Sequence, residues 1–425
     1  MFRAPAGIDD ILPEQVALWR YVEERARDIF GRYGYQEVRL PIFEDVRVFS
    51  HNVGETTDIV EKGMFTFSSG DDHYCLRPEG TAAAVRAYLQ SNQHKVRAFQ
   101  KWYYIGPMFR HERTQKGRKW QFHQLGIEAL GASDPILDAE IVSVAGHLFD
   151  ELGLEGYQTQ LNTLGCTECR DKYRETLQQE LSDRKEKLCE DCRRRMDRNI
   201  FRVLDCTQPA CQEIARSTTT IQEILCNGCK EHFQAACAAL DALEMPYEIT
   251  PRLVRGLDYY TGTVYEYVHS GLGAQDALGA GGRYDNLIEQ NGGPALGGAG
   301  FALGFERILL AMETLKADQS IETGSALDVY LVSIGPGTRE PLFQLAGRLR
   351  RDGIRADMDH EGRSIKAQMR SANRSGAPVV LVLGCDELAE NQITLKRMGD
   401  SEETRIPLDS VIETVKKELA TAQGQ

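Results

Sequence analysis

The sequence predicts an α+β protein whose first domain is interrupted by a cysteine-rich helical insertion and followed by a separate α/β domain. Three observations predict this class. Two strand-like stretches, residues 103–109 and 120–130, flank a short basic loop and form a hairpin. Eight of the eleven cysteines lie between Cys166 and Cys229. Beyond residue 327, strand and helix patterns alternate, as in a compact α/β domain.

The composition is that of a globular protein with a large core. A chain of 425 residues with 42% hydrophobic and 27% charged residues has room for two or three domains. The net charge of −13 excludes a generally basic nucleic-acid coat, but a local basic surface on an acidic body could still bind RNA. The sequence contains neither a membrane-length apolar run nor the apolar segment of a secretory signal. We therefore expect a cytoplasmic protein with no membrane partner.

The N-terminal third combines a long helix with a sharply turned acidic motif. An apolar stripe predicts a helix over residues 13–33, followed by a strand that ends at Pro41; an ordinary core helix and strand would look the same. In the stretch LRPEGTA, Glu79 stands between proline and glycine and is therefore expected at a turn. A fixed carboxylate beside the Thr81 hydroxyl suits an ammonium group, although Thr81 could equally serve as the N-cap of the next helix.

The hairpin carries a concentration of charge at its tip. Residues 110–119 pack five basic side chains around one glycine, and guanidinium groups bind phosphate oxygens bidentately. A solvated tip is the alternative, but the strands also carry polar groups that a plain hairpin does not need. Phe122, Gln124 and Glu128 alternate along the second strand, so all three face the same side.

The cysteines of the insertion form four close pairs. In a reducing compartment such pairs indicate metal binding rather than disulfides, and eight thiols could form two four-cysteine zinc sites. The sequence leaves the combination of pairs open; one option is nested, with the outer two pairs on one ion and the inner two on another. The alternative is that these are free buried cysteines. The pair Cys206/Cys211 favours it, because its spacing is wider than C-x-x-C. The pairs are Cys166/Cys169, Cys189/Cys192, Cys206/Cys211 and Cys226/Cys229.

Four separated motifs resemble those of class II aminoacyl-tRNA synthetases, in the form found in the histidyl-tRNA synthetase family. FRHERTQKGRKWQFHQLGIE resembles motif 2, and GGAGFALGFERILL resembles motif 3. LVRGLDYYTGTVYEY resembles a signature particular to the histidyl family, and the helix and strand ending at Pro41 resemble motif 1, which builds the homodimer interface. The resemblance covers nearly the whole chain. It implies an antiparallel sheet with flanking helices and a homodimer.

The resemblance also implies a division of the chain into four parts. Residues 1–165 would form the first part of the catalytic core, and residues 236–318 the second part with the histidine-specific motif and motif 3. Residues 166–235 would be the insertion, which in this family lies over the acceptor stem of the tRNA. Residues 327–425 would be the anticodon-binding α/β domain, after a linker at 314–326.

The family assigns roles to matching residues of this chain. Glu79 and Thr81 would hold the amino group of histidine, and Glu128 and Tyr260 the two nitrogens of its imidazole, since neutral imidazole offers one donor and one acceptor. The full set implied for histidine is Glu79, Thr81, Arg110, Gln124, Glu128, Arg255, Tyr259 and Tyr260. The set implied for ATP is Arg110, Glu112, Arg118, Phe122 and Arg307, with Phe122 on the adenine. Arg110, Arg255 and Arg307, with Mg²⁺, would neutralise the reacting phosphate as the catalytic groups.

The implied reaction is ATP-dependent activation of histidine to histidyl-adenylate, followed by transfer to the 3′ end of the histidine tRNA. The implied partners are therefore histidine, ATP and that tRNA. Structural Zn²⁺ in the insertion is an expectation from the cysteine spacing, since the family does not generally require a metal there. The alternative is a non-catalytic regulatory paralogue of ATP phosphoribosyltransferase in histidine biosynthesis. Such paralogues usually lack the C-terminal domain and have eroded motifs, and neither departure occurs in this sequence.

Overall fold

The computed structural model describes residues 2–53, 57, 59–114, 117–273, 276–315, 327–399 and 402–423. The chain forms two compact units, Met1–Ser320 and Ile321–Gln425. Most of the predicted linker lies outside the described residues, and its first two positions, 314 and 315, end a helix. The division of the first unit into three parts stays a prediction.

The first unit contains eleven strands and eleven helices among its described residues. The strands are β1 (Gln36–Glu37), β2 (Phe43–Asp45), β3 (Thr66–Ser69), β4 (Asp72–Leu76), β5 (Gln100–Phe109), β6 (Gln121–Leu130), β7 (Tyr157–Thr163), β8 (Glu248–Ile249), β9 (Thr261–His269), β10 (Ala277–Arg283) and β11 (Gly298–Gly304). The helices are α1 (Pro13–Arg32), α2 (Val46–Val53), α3 (Thr81–Gln90), α4 (Gln93–Val96), α5 (Pro135–Glu151), α6 (Thr167–Ser182), α7 (Glu190–Arg198), α8 (Pro209–Arg216), α9 (Asn227–Ala242), α10 (Leu287–Gln290) and α11 (Phe305–Leu315).

An eight-stranded sheet forms the centre of this unit. Its strand order is β1-β5-β6-β11-β10-β9-β7-β8, and the six inner strands pair antiparallel. Only the short edge strands β1 and β8 pair parallel with their neighbours among the described strands. Helices flank the sheet, and the eight clustered cysteines lie in the segment that carries α6 to α9. The predicted α+β class is therefore confirmed.

Two glycines make room for a tyrosine ring between the central sheet and α3. The ring of Tyr104, on β5, lies between Gly80 and Gly126, and a Cβ atom at either glycine would overlap the ring. Tyr104 is 2% exposed and joins the core cluster formed by α3 and β5. This close packing brings the first turn of α3 directly over β6.

The second unit is a five-stranded sheet with helices. Its strands are β12 (Val329–Ser333), β13 (Ala356–Met358), β14 (Val379–Leu383), β15 (Gln392–Arg397) and β16 (Glu403–Pro407), in the order β13-β12-β14-β15-β16. Its helices are α12 (Arg339–Arg351), α13 (Ile365–Ser375), α14 (Cys385–Ala389) and α15 (Val411–Gln423). The sequence pattern predicts two edge strands near the end of the chain. This is right for β16 and wrong for β15, which pairs with both β14 and β16.

No helix in the described part of the chain is long and apolar enough to cross a membrane.

A buried ion-pair network joins β10 to α5. Arg283, at the end of β10, is 1% exposed, and its Nε and Nη2 donate to Oδ1 of Asp138 at 3.0 and 2.6 Å. Its Nη1 donates to Asp285 at 2.8 Å. The second oxygen of Asp138 lies 2.8 Å from Nε2 of His232, on α9. One guanidinium thus connects the sheet to the helices that pack behind it.

We expect Arg283→Ala to lower the free energy of unfolding by about 3–5 kcal/mol, because it leaves the Asp138 carboxylate buried without its main partner. Arg47→Ala is the matched control in the same unit. Arg47 pairs with Asp45 at the surface, where its side chain is 87% exposed, and its loss should leave the free energy of unfolding almost unchanged. Urea unfolding followed by circular dichroism measures both. Equal losses for the two variants would contradict the structural role given to Arg283.

Candidate active site

A cavity of about 210 Å³ opens on the face of the sheet that carries the hairpin and the C-terminal end of β11. It is lined by residues of both segments that flank the insertion, so the two halves of the core meet there. Of the predicted site residues, the cavity is lined by Glu79, Thr81, Arg110, Glu112, Arg118, Phe122, Gln124, Arg255, Tyr259, Tyr260 and Arg307. Glu128 is the exception.

The hairpin contributes an arginine that is held in place by its own neighbours. Nε of Arg110 donates to the carbonyl oxygen of Pro78 at 2.8 Å, and its guanidinium lies 5.1 Å from the ring centre of Phe122. Burial lowers the pKa of Arg110, although Glu112 partly offsets this effect. Glu112 also pairs with Arg118 at 3.3 Å. Two cations and one aromatic ring therefore face the same space, which suits a nucleotide polyphosphate and its base.

The opposite wall contributes a second arginine, paired with a carboxylate that the sequence analysis missed. Nη1 of Arg255 donates to Oε1 of Glu266 at 2.9 Å, and both residues line the cavity. Burial, the largest single cause, lowers the pKa of Arg255, but the charge and hydrogen bond of Glu266 together with Tyr260 and Asp205 outweigh it, so the pKa is raised. The one available signal was the position of Glu266, a lone carboxylate in an aromatic, β-branched strand.

Two buried polar atoms at the cavity have no protein partner among the described residues. They are Nε of Arg255, a donor, and Oε1 of Gln124, an acceptor. Burying such atoms unpaired is costly, and sites that bind polar ligands are where this cost is tolerated. The pair therefore points to a bound molecule that offers both a hydrogen-bond acceptor and a donor.

The side chain of Glu79 caps the first turn of α3, whose N-cap residue is Gly80. Its carboxylate accepts the backbone N–H groups of Thr81 at 2.6 Å and Ala82 at 2.9 Å. The alternative role of Thr81 as N-cap was wrong: Thr81 is the first residue of the helix, and its hydroxyl points elsewhere. Burial raises the pKa of Glu79, and the two N–H groups and Arg110 work against that rise. A carboxylate fixed in this way presents its remaining lone pairs to the cavity.

Glu128 lies beneath the cavity wall and is 0% exposed. Its Oε1 accepts the hydroxyls of Thr81 at 2.7 Å and Tyr104 at 3.3 Å, and its Oε2 accepts the hydroxyl of Tyr284. Burial raises the pKa of Glu128 to about 8, although the hydroxyl groups act in the opposite direction. The sequence analysis did not find Tyr104 and Tyr284, because only the folded sheet brings them to this carboxyl group.

The remaining predicted residues complete the rim. Burial lowers the pKa of Arg307, whose Nη1 donates to the carbonyl oxygen of Ala277 at 2.6 Å. The rings of Tyr259 and Tyr260 lie 4.7 Å apart, and burial raises the pKa of Tyr260 to about 12. Its phenol is therefore a hydrogen-bond donor throughout the physiological range.

The eight cysteines of the insertion meet in two clusters, and the combination is the nested one. The outer cluster is Cys166, Cys169, Cys226 and Cys229, and the inner cluster is Cys189, Cys192, Cys206 and Cys211. Within each cluster the four sulfurs lie within 4.8 Å of one another. The Sγ atoms of Cys166 and Cys169 are 3.6 Å apart, and those of Cys189 and Cys206 are 3.9 Å apart. These separations are too long for disulfides, and they are close to the roughly 3.8 Å between sulfurs around a tetrahedral zinc ion.

Helix starts explain both the close and the wide spacing. Cys166, Cys189 and Cys226 are the N-caps of α6, α7 and α9, and each second cysteine lies one turn later. Cys211 occupies the same place in α8, but its partner Cys206 precedes the N-cap by two residues. The wider pair is therefore compatible with metal binding, and both clusters could hold a metal ion.

Glu128 should make stability depend on pH. Its pKa of about 8 in the folded state exceeds the usual 4.5, so the unfolded chain ionises first and stability falls as pH rises from about 4.5 to about 8. Glu128→Gln removes this ionisation. Relative to the parent chain, we expect the variant to gain roughly 3–5 kcal/mol between pH 5 and pH 9.

Urea midpoints at pH 5 and pH 9 measure this gain, with Glu313→Gln at an exposed position of α11 as the control. The control should stay near the parent chain at both values. A gain for Glu128→Gln that is the same at pH 5 and pH 9 would show that Glu128 is already ionised in the fold.

The family model of histidyl-tRNA synthetases matches residues 7–308, and that of the anticodon-binding domain matches residues 328–418. A protein of Syntrophotalea carbinolica named histidine–tRNA ligase is 45% identical over 406 residues, covering 95% of this chain and 96% of the relative. A protein of the same name from Halothermothrix orenii is 44% identical over 416 residues, covering 98% of this chain and 99% of the relative. These relatives give no support to the regulatory alternative.

The solved structures agree with the sequence relatives. The crystal structure of apo S. aureus histidyl-tRNA synthetase superposes with a TM-score of 0.83 at 35% identity, covering 98% of this chain and 100% of that chain. The resemblance found in the sequence motifs is thus confirmed over both units. The chain belongs to the histidyl-tRNA synthetase family, within the class II aminoacyl-tRNA synthetases.

Proposed function

We propose that this chain is a histidine–tRNA ligase: it activates histidine with ATP to histidyl-adenylate and pyrophosphate and then transfers the histidyl group to the 3′ end of its tRNA. The observation that carries the proposal is the meeting of Arg110, Arg255 and Arg307 around one cavity. These three arginines come from separate stretches of the chain, and each places its guanidinium group at the cavity. Three such cations suit a carboxylate that attacks a phosphate.

The reaction needs positioning rather than an enzyme nucleophile. Arg110 and Arg255 are assigned to opposite sides of the α-phosphate and the histidine carboxylate, where they hold the attacking oxygen in line and neutralise the charge that develops. Glu79 and Thr81 are assigned to the amino group. Since Glu79 is held by two backbone N–H groups, it needs little rearrangement when the ammonium group arrives.

Recognition of the side chain is assigned to Tyr260 and Glu128. The phenol of Tyr260 donates to one imidazole nitrogen, and the carboxyl group of Glu128 takes the N–H of the other. Tyr259 and Gln124 complete this pocket. A pocket with several buried polar groups rejects amino acids that leave those groups unpaired.

ATP is assigned to the hairpin side of the cavity. Phe122 offers a face for adenine, while Arg118 and Arg307 are placed for the outer phosphates. Glu112 provides the carboxylate oxygens that Mg²⁺ prefers, and it already lies beside Arg110 and Arg118. Bound with ATP, Mg²⁺ would supply further charge neutralisation on the phosphates.

The tRNA is assigned to two basic surfaces, one in each unit. In the insertion, Arg194 and Arg198 are exposed on α7, which suits contact with the phosphates of the acceptor stem. In the anticodon-binding domain, Lys366, Arg370 and Arg374 recur every four residues on α13 and are exposed. The overall acidic charge of the chain makes these local surfaces the natural places for RNA.

The two cysteine clusters are assigned one structural Zn²⁺ each. Backbone N–H groups at the helix starts point at the sulfurs: the N–H of Cys166 donates to Cys229, and that of Cys226 donates to Cys169, both at 3.2 Å. The N–H of Cys189 donates to Cys211 at 3.2 Å. Such donors stabilise thiolates, the form that binds zinc. Reduced cysteines in this number also support a cytoplasmic location.

A homodimer is assigned to the surface around β2, β3 and β4. Phe43 and Phe67 are 55% and 43% exposed, and both pack against Tyr74 with ring centres 5.7 and 5.8 Å away. Ile42, also exposed, directly follows the Pro41 that ends motif 1. A continuous apolar surface beside the motif that builds the family's dimer interface fits a second copy of the chain.

We expect Phe43→Glu to convert the dimer into a monomer, because it would place two carboxylates at a contact between apolar rings. Sedimentation velocity at micromolar concentration measures the mass of the particle. Ile136→Glu, at another exposed apolar position, is the control and should remain dimeric. A parent chain that sediments as a monomer would refute the assignment.

Amino-acid-dependent exchange of pyrophosphate into ATP tests the first step of the reaction. We expect exchange with histidine alone among the twenty amino acids, and attachment of histidine only to its own tRNA. Arg255→Ala should lower the exchange rate roughly 10²–10³-fold, the usual cost of removing one preorganised group at the reacting charge.

Arg351→Ala, at an exposed position of α12, is the control and should exchange at the parent rate. A folded parent chain that exchanges with no amino acid would refute the ligase and return the regulatory role to consideration.

A further inference from the structure

The loop that supplies Arg255, Tyr259 and Tyr260 to the cavity has no helix or strand of its own from residue 251 to residue 260. Its position therefore depends on what holds it from outside. We propose that the two metal-closed cysteine clusters hold this loop, residues 253–262, in its histidine-binding shape, through Arg170 and Asn199 as positioning residues. The inference rests on the proposed function of the cavity and extends it to a dependence on metal.

The outer cluster reaches the loop through the first turn of α6. Arg170 follows Cys169 directly, and its Nη1 donates to the carbonyl oxygens of Asp258 at 3.2 Å and Tyr260 at 2.9 Å. One nitrogen thus fixes the backbone on either side of Tyr259. The backbone N–H of Arg170 donates to the carbonyl oxygen of Cys166 at 2.9 Å, so Arg170 lies on the helical turn that carries the two cysteines.

The outer cluster also meets the end of the loop through the main chain. The N–H of Gly262 donates to the carbonyl oxygen of Gly165, the residue before Cys166, at 2.9 Å. In return, the N–H of Leu164 donates to Gly262 at 2.7 Å. These two bonds set the point where the loop enters β9.

The inner cluster reaches the same loop from α7. Asn199 ends that helix, whose N-cap is Cys189, and its Nδ2 donates to Oδ1 of Asp258 at 2.8 Å. Asp258 is therefore held twice, by its carbonyl oxygen from α6 and by its carboxylate from α7. The short α7 has two turns, and a metal at its start would keep it from fraying.

The arrangement makes a selective prediction. Loss of either anchor or of the metal should loosen the loop that binds histidine and leave the hairpin that binds ATP in place. Arg170→Ala removes two hydrogen bonds, so the KM for histidine should rise roughly tenfold or more while the KM for ATP changes less than about twofold. Arg170→Lys should fall between the parent chain and Arg170→Ala, because its ammonium group keeps the charge and the donors on a side chain that is one bond shorter.

Arg174→Ala is the matched control, since Arg174 lies one turn later on α6 and donates to Asp171, and it makes no hydrogen bond to the loop among the described residues. Pyrophosphate exchange with histidine or ATP varied gives the two KM values. Removal of zinc from the holoenzyme by a mercurial reagent and a chelator should reproduce the rise for histidine, and added Zn²⁺ should reverse it. Zinc content, near two ions per chain before removal, is measured by mass spectrometry of the metal.

Hydrogen exchange gives a readout that does not depend on activity. Amide exchange across residues 253–262 should become faster in Arg170→Ala and in the zinc-free chain, and should not change in Arg174→Ala. Three results would each overturn the inference: unchanged amide exchange across residues 253–262 in Arg170→Ala and the zinc-free chain, equal rises of the KM values for histidine and ATP, or a holoenzyme without zinc. A parent chain that exchanges no pyrophosphate, but whose amides at residues 253–262 exchange slowly with zinc and faster without it, would refute the ligase function and support the metal-held loop.

Discussion

The interaction on which the core depends is the burial of one carboxyl group under three hydroxyls. Glu128 receives hydroxyls from Thr81 on α3, Tyr104 on β5 and Tyr284 after β10, so it ties together segments more than two hundred residues apart. Each hydroxyl offsets part of the cost of removing the carboxyl group from water, and none offsets it fully. The remaining cost appears as the raised pKa of Glu128. Glu128 itself lies beneath the cavity wall, and the hydroxyl of Thr81, which lines the cavity, connects it to the space above.

The same balance shapes the cations around the cavity. Burial lowers the pKa values of Arg110 and Arg307, while for Arg255 the combined attraction of Glu266, Tyr260 and Asp205 outweighs burial. An arginine remains charged under all these conditions. Burial strengthens the attraction between the guanidinium group and an anion, because little water is present to screen their charges. The enclosed space thus favours polyphosphate and carboxylate groups over water, despite an acidic chain.

Much of this arrangement could be predicted from the sequence because its signals are local. The helix α1, the hairpin strands β5 and β6, and the entry from β11 into α11 follow from apolar periodicity and turn residues close in sequence. The partners Tyr284 and Glu266 could not be predicted, since their roles arise only when β9 and β10 lie beside β6 and the loop. The prediction that β15 is an edge strand was wrong for the same reason. Its pairing with β16 depends on the order of strands in the sheet, which the local sequence pattern does not encode.

In the cysteine clusters, a short sequence motif, C-x-x-C at the start of a helix, bears on which distant pairs of cysteines meet in the fold. A C-x-x-C pair that starts a helix places two sulfurs and a free N–H group at one point, and three of the four pairs do this. Two such points must then meet to complete four ligands, and the helices α6 to α9 bring them together around an apolar core that includes Leu177, Leu181 and Val203. A metal ion in each cluster, as proposed above, would add cohesion where these helices begin. The loop over the histidine pocket rests on these helices, so the specificity of the site would depend on cohesion that no side chain in the pocket provides.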